Sequence, residues 1–365
     1  MAPIQKNFGN MKIEKLKNIF SQFQVHAKFE MHQELVSGHI NDTYFIKTKE
    51  KPNFILQRVN KTVFKDVPGL IENKVRISAH IREKLKHLPE EELNRRVLTF
   101  VKTKKGSPYF KDEEDHYWNL MYFIDNSVTF ERVRDEEVAY EGGKLFGEFL
   151  NFTSDFNAEK LTEVIPKFHN MSYRYMQFQQ ALQVSSKERL EKAKWYIVLV
   201  IAHTEEMHQI QHLKNAGKIR LRVTHNDTKI SNALFTKDKK GLCVIDTDTI
   251  MPGIIHYDFG DAVRTICNTA TEDETNLALV QFNTVYYNAY TKGFLEKTTA
   301  SLSAIELKYL PLSVKTMIFI MALRFLTDYL NNDTYYKTKY AAHNLDRAKN
   351  QFKLMESFTD QVVPT

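Results

Sequence analysis

The periodicity of the apolar residues changes once along this chain, near residue 124, and this change constrains the fold more than any other feature. Before it, short apolar runs such as YFI at 44–46 and FIL at 54–56 are separated by turn-forming residues, which is typical of strands. After it, apolar residues recur at helical spacing over long stretches. The predicted helices cover about residues 135–151, 172–216, 272–296 and 304–331. The pattern predicts an α+β protein with a small β-rich N-terminal lobe and a larger, mainly helical C-terminal lobe.

The length of the chain favours the same division, because 365 residues exceed the ~250–300 at which a single hydrophobic core stops growing. We place the N-terminal lobe at residues 1–123 and the C-terminal lobe at 124–365. In the first lobe, helices are expected over 11–24 and after Asp66, with further strands at 97–103 and 116–123. In the second, short strands return between 218 and 250 as an inserted hairpin.

Charge, cysteine usage and hydropathy exclude several classes of function. The 51 basic and 45 acidic residues leave a net charge of only +6 without a dense basic block, so the expected partners do not include nucleic acid. Two cysteines, Cys243 and Cys267, cannot build a disulfide framework. The N-terminus lacks the apolar core of a signal peptide, and the longest apolar runs are shorter than the ~20 residues that span a bilayer. These features predict a cytoplasmic protein with no membrane partner, and they leave the oligomeric state open.

The segment VTHNDTKISN at 223–232 follows a predicted strand and carries the residue types that phosphoryl transfer needs. That reaction uses a carboxylate to orient or deprotonate the attacking hydroxyl, oxygen ligands for Mg²⁺, and cations on the phosphates. Asp227 is the candidate carboxylate and Lys229 the candidate cation, while Asn232 and Asp246 are the candidate metal ligands. The His-x-Asp-x-x-x-x-Asn match is weak by itself, but Lys229, the flanking strands and a strand-end Asp make coincidence improbable.

HNDTKISN resembles the catalytic loop shared by protein kinases and aminoglycoside-phosphotransferase-like small-molecule kinases, and IDTDT stands where their metal-binding Asp follows. Within that superfamily the chain is most similar to the bacterial N-acetylhexosamine 1-kinase branch. The strings that carry this resemblance are SGHINDTY at 37–44, FILQRVN at 54–60, VIDTDTIMPG at 244–253, YDFGDAVR at 257–264 and RFLTDYLNNDTYY at 324–336. The resemblance implies a two-lobe protein-kinase-like fold, the cofactors ATP and Mg²⁺, and an amino-sugar substrate. It further implies phosphorylation of the anomeric hydroxyl of N-acetylglucosamine or N-acetylgalactosamine to the sugar 1-phosphate.

Nucleotide contacts are implied in the N-terminal lobe. SGHINDTY joins two expected strands where such kinases carry the loop over the phosphates, although a plain β-turn is an equal alternative. The contact residues in this string are Ser37, Gly38, Asn41 and Thr43. YWNLMYFID at 117–125 resembles the segment that holds adenine, with Met121 and Phe123 as contacts, although an ordinary core strand looks the same.

A strand cation paired with a helical glutamate is a further part of such kinases. Arg58 takes the place of the usual lysine, and Glu72 on the following helix is its expected partner. The register leaves open whether Gln57 or Arg58 faces the phosphates.

Substrate recognition is expected in the helical lobe, where the resemblance implies that Arg324 and Tyr335 contact the sugar alongside Asp227. Arg324 and Asp328 stand four residues apart, so a structural ion pair on one helix face is the alternative. In YDFGDAVR, Asp258 and Asp261 are expected to brace the catalytic loop rather than touch substrate.

Other functions stay open. A kinase of the same superfamily can act on another hydroxyl substrate, such as an aminoglycoside, choline or a different sugar. A protein kinase is disfavoured because no Ala-Pro-Glu segment follows Asp246 and the phosphate loop lacks repeated glycines. A non-catalytic nucleotide-binding scaffold is disfavoured because it has no reason to keep Asp227, Lys229 and Asn232 together with Asp246.

Overall fold

The computed structural model describes residues 13–35 and 40–362, and the chain divides into two compact units. Unit 1 ends at Asn126 and unit 2 begins at Ser127. Each unit has its own helices, strands and buried side chains, and each is described by itself.

Unit 1 consists of one antiparallel sheet and three helices among its described residues. The helices are α1 (Ile13–Phe20), α2 (Val67–Lys84) and α3 (Glu90–Arg96). The strands are β1 (Phe29–Glu34), β2 (Asp42–Thr48), β3 (Phe54–Val59), β4 (Phe100–Val101), β5 (Phe110–Lys111) and β6 (Tyr117–Tyr122). Their order is β1-β2-β3-β6-β4, and β5 also pairs with β6.

The two faces of this sheet are chemically different because successive side chains on a strand point to opposite sides. Phe54 and Leu56 of β3 are buried in a hydrophobic cluster with Leu16 of α1 and Trp118 of β6. Gln57, between them and Val59, is buried and accepts a hydrogen bond from Lys74 of α2, at 2.9 Å. The apolar face of β3 therefore packs on α1. Gln57 lies on the opposite face because it is one residue away from Leu56.

Unit 2 is mainly helical. Its helices are α4 (Glu136–Phe152), α5 (Met171–Val184), α6 (Lys187–Asn215), α7 (Ile255–Ile266), α8 (Thr284–Thr298), α9 (Ala304–Lys308), α10 (Leu310–Leu330) and α11 (His343–Val362). Its strands are β7 (Arg222–Thr224), β8 (Ala233–Phe235), β9 (Gly241–Val244) and β10 (Met251–Gly253). β8 and β9 form a hairpin, whereas β7 pairs antiparallel with β10.

Helix α10 is the central helix of unit 2. It is long and apolar enough to cross a membrane by length and composition, with a mean hydropathy of 1.5 over its most apolar window. Of that window, 78% is buried inside the protein, against α5, α6, α7 and α11. Burial by protein on most sides is what a core helix requires, and it accounts for the apolar composition.

The predicted α+β class is confirmed, with the sheet in unit 1 and the helices mainly in unit 2. Several predicted elements were wrong in detail. The helix predicted over 172–216 is two helices, because α5 ends at Val184 and Ser186 caps the start of α6 by accepting from the backbone N–H of Arg189. The helix predicted from 272 begins only at Thr284, after Asn283 caps it. The inserted hairpin is β8–β9 alone, since β7 pairs with a strand beyond the predicted segment.

Candidate active site

The catalytic loop lies between β7 and β8, where Asp227, Lys229 and Asn232 come together. The Lys229 Nζ lies 3.0 Å from Asp227 Oδ2, and Asn232 Nδ2 donates to the same oxygen at 2.9 Å and to the Asp227 carbonyl at 2.8 Å. The side chains of Asp227 and Lys229 remain 34% and 37% exposed. The carboxylate is therefore oriented by two neighbours and still accessible to a ligand.

Electrostatics keep this carboxylate ionised. Burial acts to raise the pKa of Asp227, but the charge of Lys229 and the hydrogen bonds from Lys229 and Asn232 outweigh it, and the pKa lies below its usual range. Burial acts to lower the pKa of Lys229, but the charges of Asp227 and Asp246 raise it above its usual value. Both groups are charged at neutral pH.

Asp258, at the start of α7, anchors the loop backbone. Its two carboxylate oxygens accept the backbone N–H groups of His225 and Asn226, each at 2.7 Å, and its carbonyl accepts the hydroxyl of Thr228 at 2.7 Å. Burial raises the pKa of Asp258 to about 6. The expectation that Asp258 braces the loop is confirmed, whereas Asp261 bonds the Arg264 guanidinium.

Close helix packing holds this anchor in place. A Cβ atom on Gly260, two residues after Asp258, would lie 2.4 Å from the carbonyl oxygen of Ser313 on α10. Only glycine lets α7 approach α10 this closely. The close packing of α7 on α10 therefore fixes the position of Asp258.

The segment that carries Asp246 is tied to the loop by hydrogen bonds. The His225 Nε2–H donates to the Ile245 carbonyl at 2.9 Å, and the Ile245 N–H donates to the Asn232 carbonyl at 2.9 Å. Asn226 and Asp246 both have left-handed backbone conformations, with φ of 64° and 56°. Such conformations cost energy outside glycine and cluster at functional sites, where the surroundings impose them.

Asn232 and Asp246 are the predicted ligands of a divalent cation, through an amide oxygen and a carboxylate. Among the described residues, no group of three or more His, Cys, Asp or Glu side chains is placed to hold a metal ion. Mg²⁺ needs no such group, since it is usually bound through one or two carboxylates together with substrate phosphates and water. The Asn232 amide donates through Nδ2, which directs its oxygen away from Asp227. One amide oxygen and one carboxylate fit a cation that arrives with a nucleotide.

The predicted substrate contact Arg324, on α10, lies beside Tyr335 and Tyr336. The guanidinium carbon lies 5.9 Å and 5.5 Å from the two ring centroids, and 5.3 Å from that of Phe168. The structure thus brings the predicted pair Arg324 and Tyr335 together, and 70% of Tyr335 is exposed.

The alternative of an ion pair between Arg324 and Asp328 is wrong. Asp328 accepts the backbone N–H groups of Tyr335 and Tyr336 at 2.8 Å and 2.9 Å, and the side-chain amide of Asn344 at 2.9 Å. Its carboxylate is used to hold the tyrosine segment, because buried N–H groups need acceptors.

The predicted nucleotide contacts of unit 1 lie on and next to the sheet. Thr43 lies opposite Gln57 in the β2–β3 ladder, and Met121 lies opposite Ile55 in the β3–β6 ladder. The Asn41 Oδ1 accepts the backbone N–H of Asn60 at 2.8 Å. The Phe123 ring contacts Phe45, with centroids 4.7 Å apart. Ser37 and Gly38 lie outside the described residues.

The predicted pairing of Arg58 with Glu72 is wrong. Arg58 pairs with Asp42, with Nε 2.6 Å from Oδ2, and its guanidinium lies 5.8 Å from the Trp118 ring centroid. Glu72 is half exposed and pairs with Arg76 one helical turn away. Since Arg58 lies on the face of β3 that carries Phe54 and Leu56, the face toward α2 belongs to Gln57.

Three further residues, one in unit 1 and two in unit 2, were not predicted. Lys74 is buried against Gln57, and His169 and Arg174 lie near Arg324. None belongs to a motif with fixed spacing, and Arg174 is 150 residues from Arg324 in sequence. The packing of α5 on α10 brings Arg174 near Arg324.

Comparisons with known proteins show which folds and which family this chain resembles. Among solved structures, the chain is similar to a microcompartment-associated aminopropanol kinase, with 17% identity, a TM-score of 0.65, and coverage of 95% of this chain and 98% of that one. It is also similar to an aminoglycoside phosphotransferase from Alicyclobacillus acidocaldarius, with 14% identity, a TM-score of 0.58 and coverage of 99% and 97%. For a choline kinase from Cryptosporidium parvum the values are 12%, 0.58, and 95% and 96%. These likenesses establish the kinase-like fold, and none of the three is named for an N-acetylhexosamine.

The sequence itself identifies the family. Residues 32–290, more than half of the 365, match the model of the phosphotransferase enzyme family. This span contains the catalytic loop, the anchoring Asp258 and the predicted metal ligands. The chain therefore belongs to the phosphotransferase enzyme family.

Proposed function

We propose that this protein transfers the γ-phosphoryl group of ATP to a hydroxyl of a small molecule. We further propose N-acetylglucosamine or N-acetylgalactosamine as the acceptor, with the anomeric hydroxyl phosphorylated to give the sugar 1-phosphate and ADP. The observation that carries the first proposal is the ionised, accessible Asp227 carboxylate, which Lys229 and Asn232 orient on an anchored loop. The choice of sugar and hydroxyl is supported by the resemblance of the strings at 37–44, 244–253 and 324–336.

Asp227 accepts a hydrogen bond from the attacking hydroxyl and takes its proton as the phosphoryl group moves. Phosphoryl transfer passes through a loose transition state, so orientation of the hydroxyl matters more than strong basicity. A carboxylate with a lowered pKa suits this role, because it is ionised before substrate binds and a proton taken late in the reaction is readily released.

Lys229 holds Asp227 in place and offsets phosphate charge. Its Nζ lies 3.0 Å from the carboxylate and is also influenced by the charge of Asp246. When bound through Asn232 and Asp246, Mg²⁺ supplies charge stabilisation and orientation of the phosphates. Asn232 also keeps the Asp227 carboxylate fixed through its Nδ2.

ATP as the donor is supported by family membership and by what related folds bind. One similar structure is an amicoumacin kinase in complex with AMP-PNP and Ca²⁺, and another is a spectinomycin phosphotransferase in complex with ADP. We propose the same class of donor here, with Thr43, Met121 and Phe123 of unit 1 as nucleotide contacts and a cytoplasmic location.

The test is ADP release from the full chain with ATP and magnesium across a panel of acceptors. The panel contains N-acetylglucosamine, N-acetylgalactosamine, choline, an aminoglycoside and an amino alcohol. Phosphorus NMR of the product identifies the phosphorylated position. Turnover of an N-acetylhexosamine to its 1-phosphate is the expected result. Phosphorylation at another hydroxyl, or of another acceptor alone, would refute the proposed sugar kinase and retain the phosphotransferase.

A further inference from the structure

Arg324 and Arg174 form a positively charged cluster in unit 2 that has no carboxylate partner among the residues the structure describes. Within the described part of the chain, the one hydrogen bond of Arg324 goes to the sulfur of Met321 at 3.4 Å. Arg174 donates to the Phe168 carbonyl from Nε at 3.0 Å and Nη2 at 2.6 Å, and to Gln177. All these acceptors are neutral, so the two positive charges are not neutralised by the protein.

The nearby acidic side chains bond other groups. Asp328, one turn beyond Arg324, accepts backbone N–H groups of the tyrosine segment. Glu272, whose charge acts on Tyr336, pairs with Arg264. Burial, and then the charge of Arg324, lower the pKa of Arg174 to about 10, so part of the shift comes from the second arginine.

The cluster is connected to the catalytic loop through Phe168 and His169. Phe168 contacts both arginines, through its ring and its carbonyl, and His169 donates from Nε2 to the carbonyl of Asn226 at 3.3 Å. Asn226 immediately precedes Asp227. The two arginines are therefore linked, through Phe168 and His169, to the residue that precedes Asp227.

Unused hydrogen-bonding groups mark the same place. His169 is 5% exposed and its Nδ1 has no partner among the described residues, and the buried hydroxyl of Tyr336 has none either. Burial, with the charges of Arg324 and Arg174, lowers the pKa of His169 to about 3, so its ring is neutral. Buried polar groups without partners are costly, and a bound ligand relieves that cost.

We propose that Arg174 and Arg324 select the acceptor by charge, admitting molecules that present a carbonyl or carboxylate oxygen and rejecting those that carry an ammonium group. This inference rests on the proposed function, because it names the acceptor class of the same site. Guanidinium groups bind acyl and carboxylate oxygens through several N–H donors, whereas an ammonium placed beside two uncompensated cations is repelled. The aromatic rings of Phe168, Tyr335 and Tyr336 provide the apolar surface for the rest of the acceptor.

The test compares two pairs of sugars, each differing in one substituent: N-acetylglucosamine with glucosamine, which lacks the acetyl group, and glucuronate with glucose, which lacks the carboxylate. Turnover is followed by ADP release, and binding to the full chain is followed separately by calorimetry. We expect kcat/KM for glucosamine to fall about tenfold or more below that for N-acetylglucosamine, as like charges in contact oppose binding. The penalty should shrink when the ionic strength rises from ~0.05 to ~0.5 M, because salt screens charge but not steric exclusion.

Charge-changing variants assign the effect to the two arginines. Arg324→Glu should reverse the preference toward glucosamine, Arg174→Gln should weaken the discrimination severalfold, and Arg324→Lys should retain its sign. Arg220→Gln is the matched control, since Arg220 is an exposed arginine of the same unit whose side chain donates to the Ser301 carbonyl. Its selectivity should equal that of the unchanged protein.

The two proposals fail in different ways. Equal binding and turnover of glucosamine and N-acetylglucosamine overturns charge selection and leaves the sugar kinase standing. Weaker binding of glucosamine than of N-acetylglucosamine, without turnover of any of the sugars, supports charge selection and overturns the proposed sugar kinase. A glucosamine penalty that survives in Arg324→Glu and high salt overturns charge selection, because it identifies exclusion by shape.

Discussion

The catalytic loop of unit 2 and the strand β3 of unit 1 were both predicted to face phosphate. Only on the loop do the predicted partners contact one another. On the loop, the predicted residues Asp227, Lys229 and Asn232 contact one another directly. On β3, Arg58 does not meet its predicted partner, because it pairs with Asp42 instead. The loop prediction needed only the short spacing of residues on one segment. The β3 prediction also depended on the position of helix α2.

The physical reason lies in how each pair is positioned. The loop residues are within five positions of one another, and the backbone bonds to Asp258 leave them little freedom. A strand–helix pair requires both the face of the strand and the rotation of the helix, and one residue step moves a strand side chain to the opposite face. Four predictions test this difference, beginning with the largest expected effect.

Asp227→Asn should lower kcat by about 10²–10⁴, because the variant keeps the hydrogen-bonding shape but loses the proton acceptor. Steady-state kinetics with ATP and the accepted sugar measures the change, and ATP binding should be nearly intact. Asp238→Asn, the same substitution at an exposed turn residue, serves as control. Near-normal turnover of Asp227→Asn would remove Asp227 as the base.

Asp258→Asn should lower kcat by about 10–10² and the free energy of unfolding by about 1–3 kcal/mol, since an amide NH₂ replaces one acceptor of a backbone N–H. Kinetics and urea denaturation measure the two effects. Asp328→Asn is matched, because Asp328 also accepts two backbone N–H groups. Asp328→Asn should lose similar stability, but it should raise the acceptor KM more than it lowers kcat. If the two variants have the same changes in kcat and KM, Asp258 is not a specific anchor of the loop.

Turnover should decline as the pH falls through about 6, the pKa to which burial raises Asp258. A protonated carboxyl is a poorer acceptor for the His225 and Asn226 N–H groups. The unfolded chain binds this proton only near ~3.9, so protonation of Asp258 favours the folded state between these values. Activity should therefore fall without a loss of stability from this group.

Kinetics and denaturation over pH 5–8 measure both quantities. Burial lowers the pKa of His169 to about 3 and that of His256 to about 4, so neither ring titrates in this range. The acid limb should disappear in Asp258→Asn, and an unchanged limb would assign it to another group.

The smallest effect concerns β3. A double-mutant cycle of Arg58→Met with Asp42→Asn should give a coupling of about 0.5–1 kcal/mol, since this ion pair is only partly exposed. The cycle of Arg58→Met with Glu72→Gln should be additive within ~0.5 kcal/mol. Urea denaturation measures both couplings. Coupling in the second cycle and not the first would restore the predicted pair.

Local patterns were sufficient for the class of fold and for the centre of the site. The strand-like runs and helical periodicities predicted the α+β class, and the spacing of residues 227–232 predicted a loop that the structure assembles. The boundaries of the helices were less predictable, because single hydrogen bonds from cap residues such as Ser186 and Asn283 fix where a helix begins. Asp258 was predictable only as a brace, not as the acceptor of two particular N–H groups.

The sequence by itself determined the family and the candidate base, since both depend on residue types at short spacing. The tertiary structure decided the partner of Arg58, the use of Asp328 as a backbone acceptor, and the meeting of Arg174 with Arg324. These depend on strand register and on helix packing between residues far apart in sequence, where small shifts change which side chains meet. For the same reason, the unneutralised charge of Arg174 and Arg324 could be recognised only in the folded structure, where the two arginines meet and the nearby acidic side chains bond other groups.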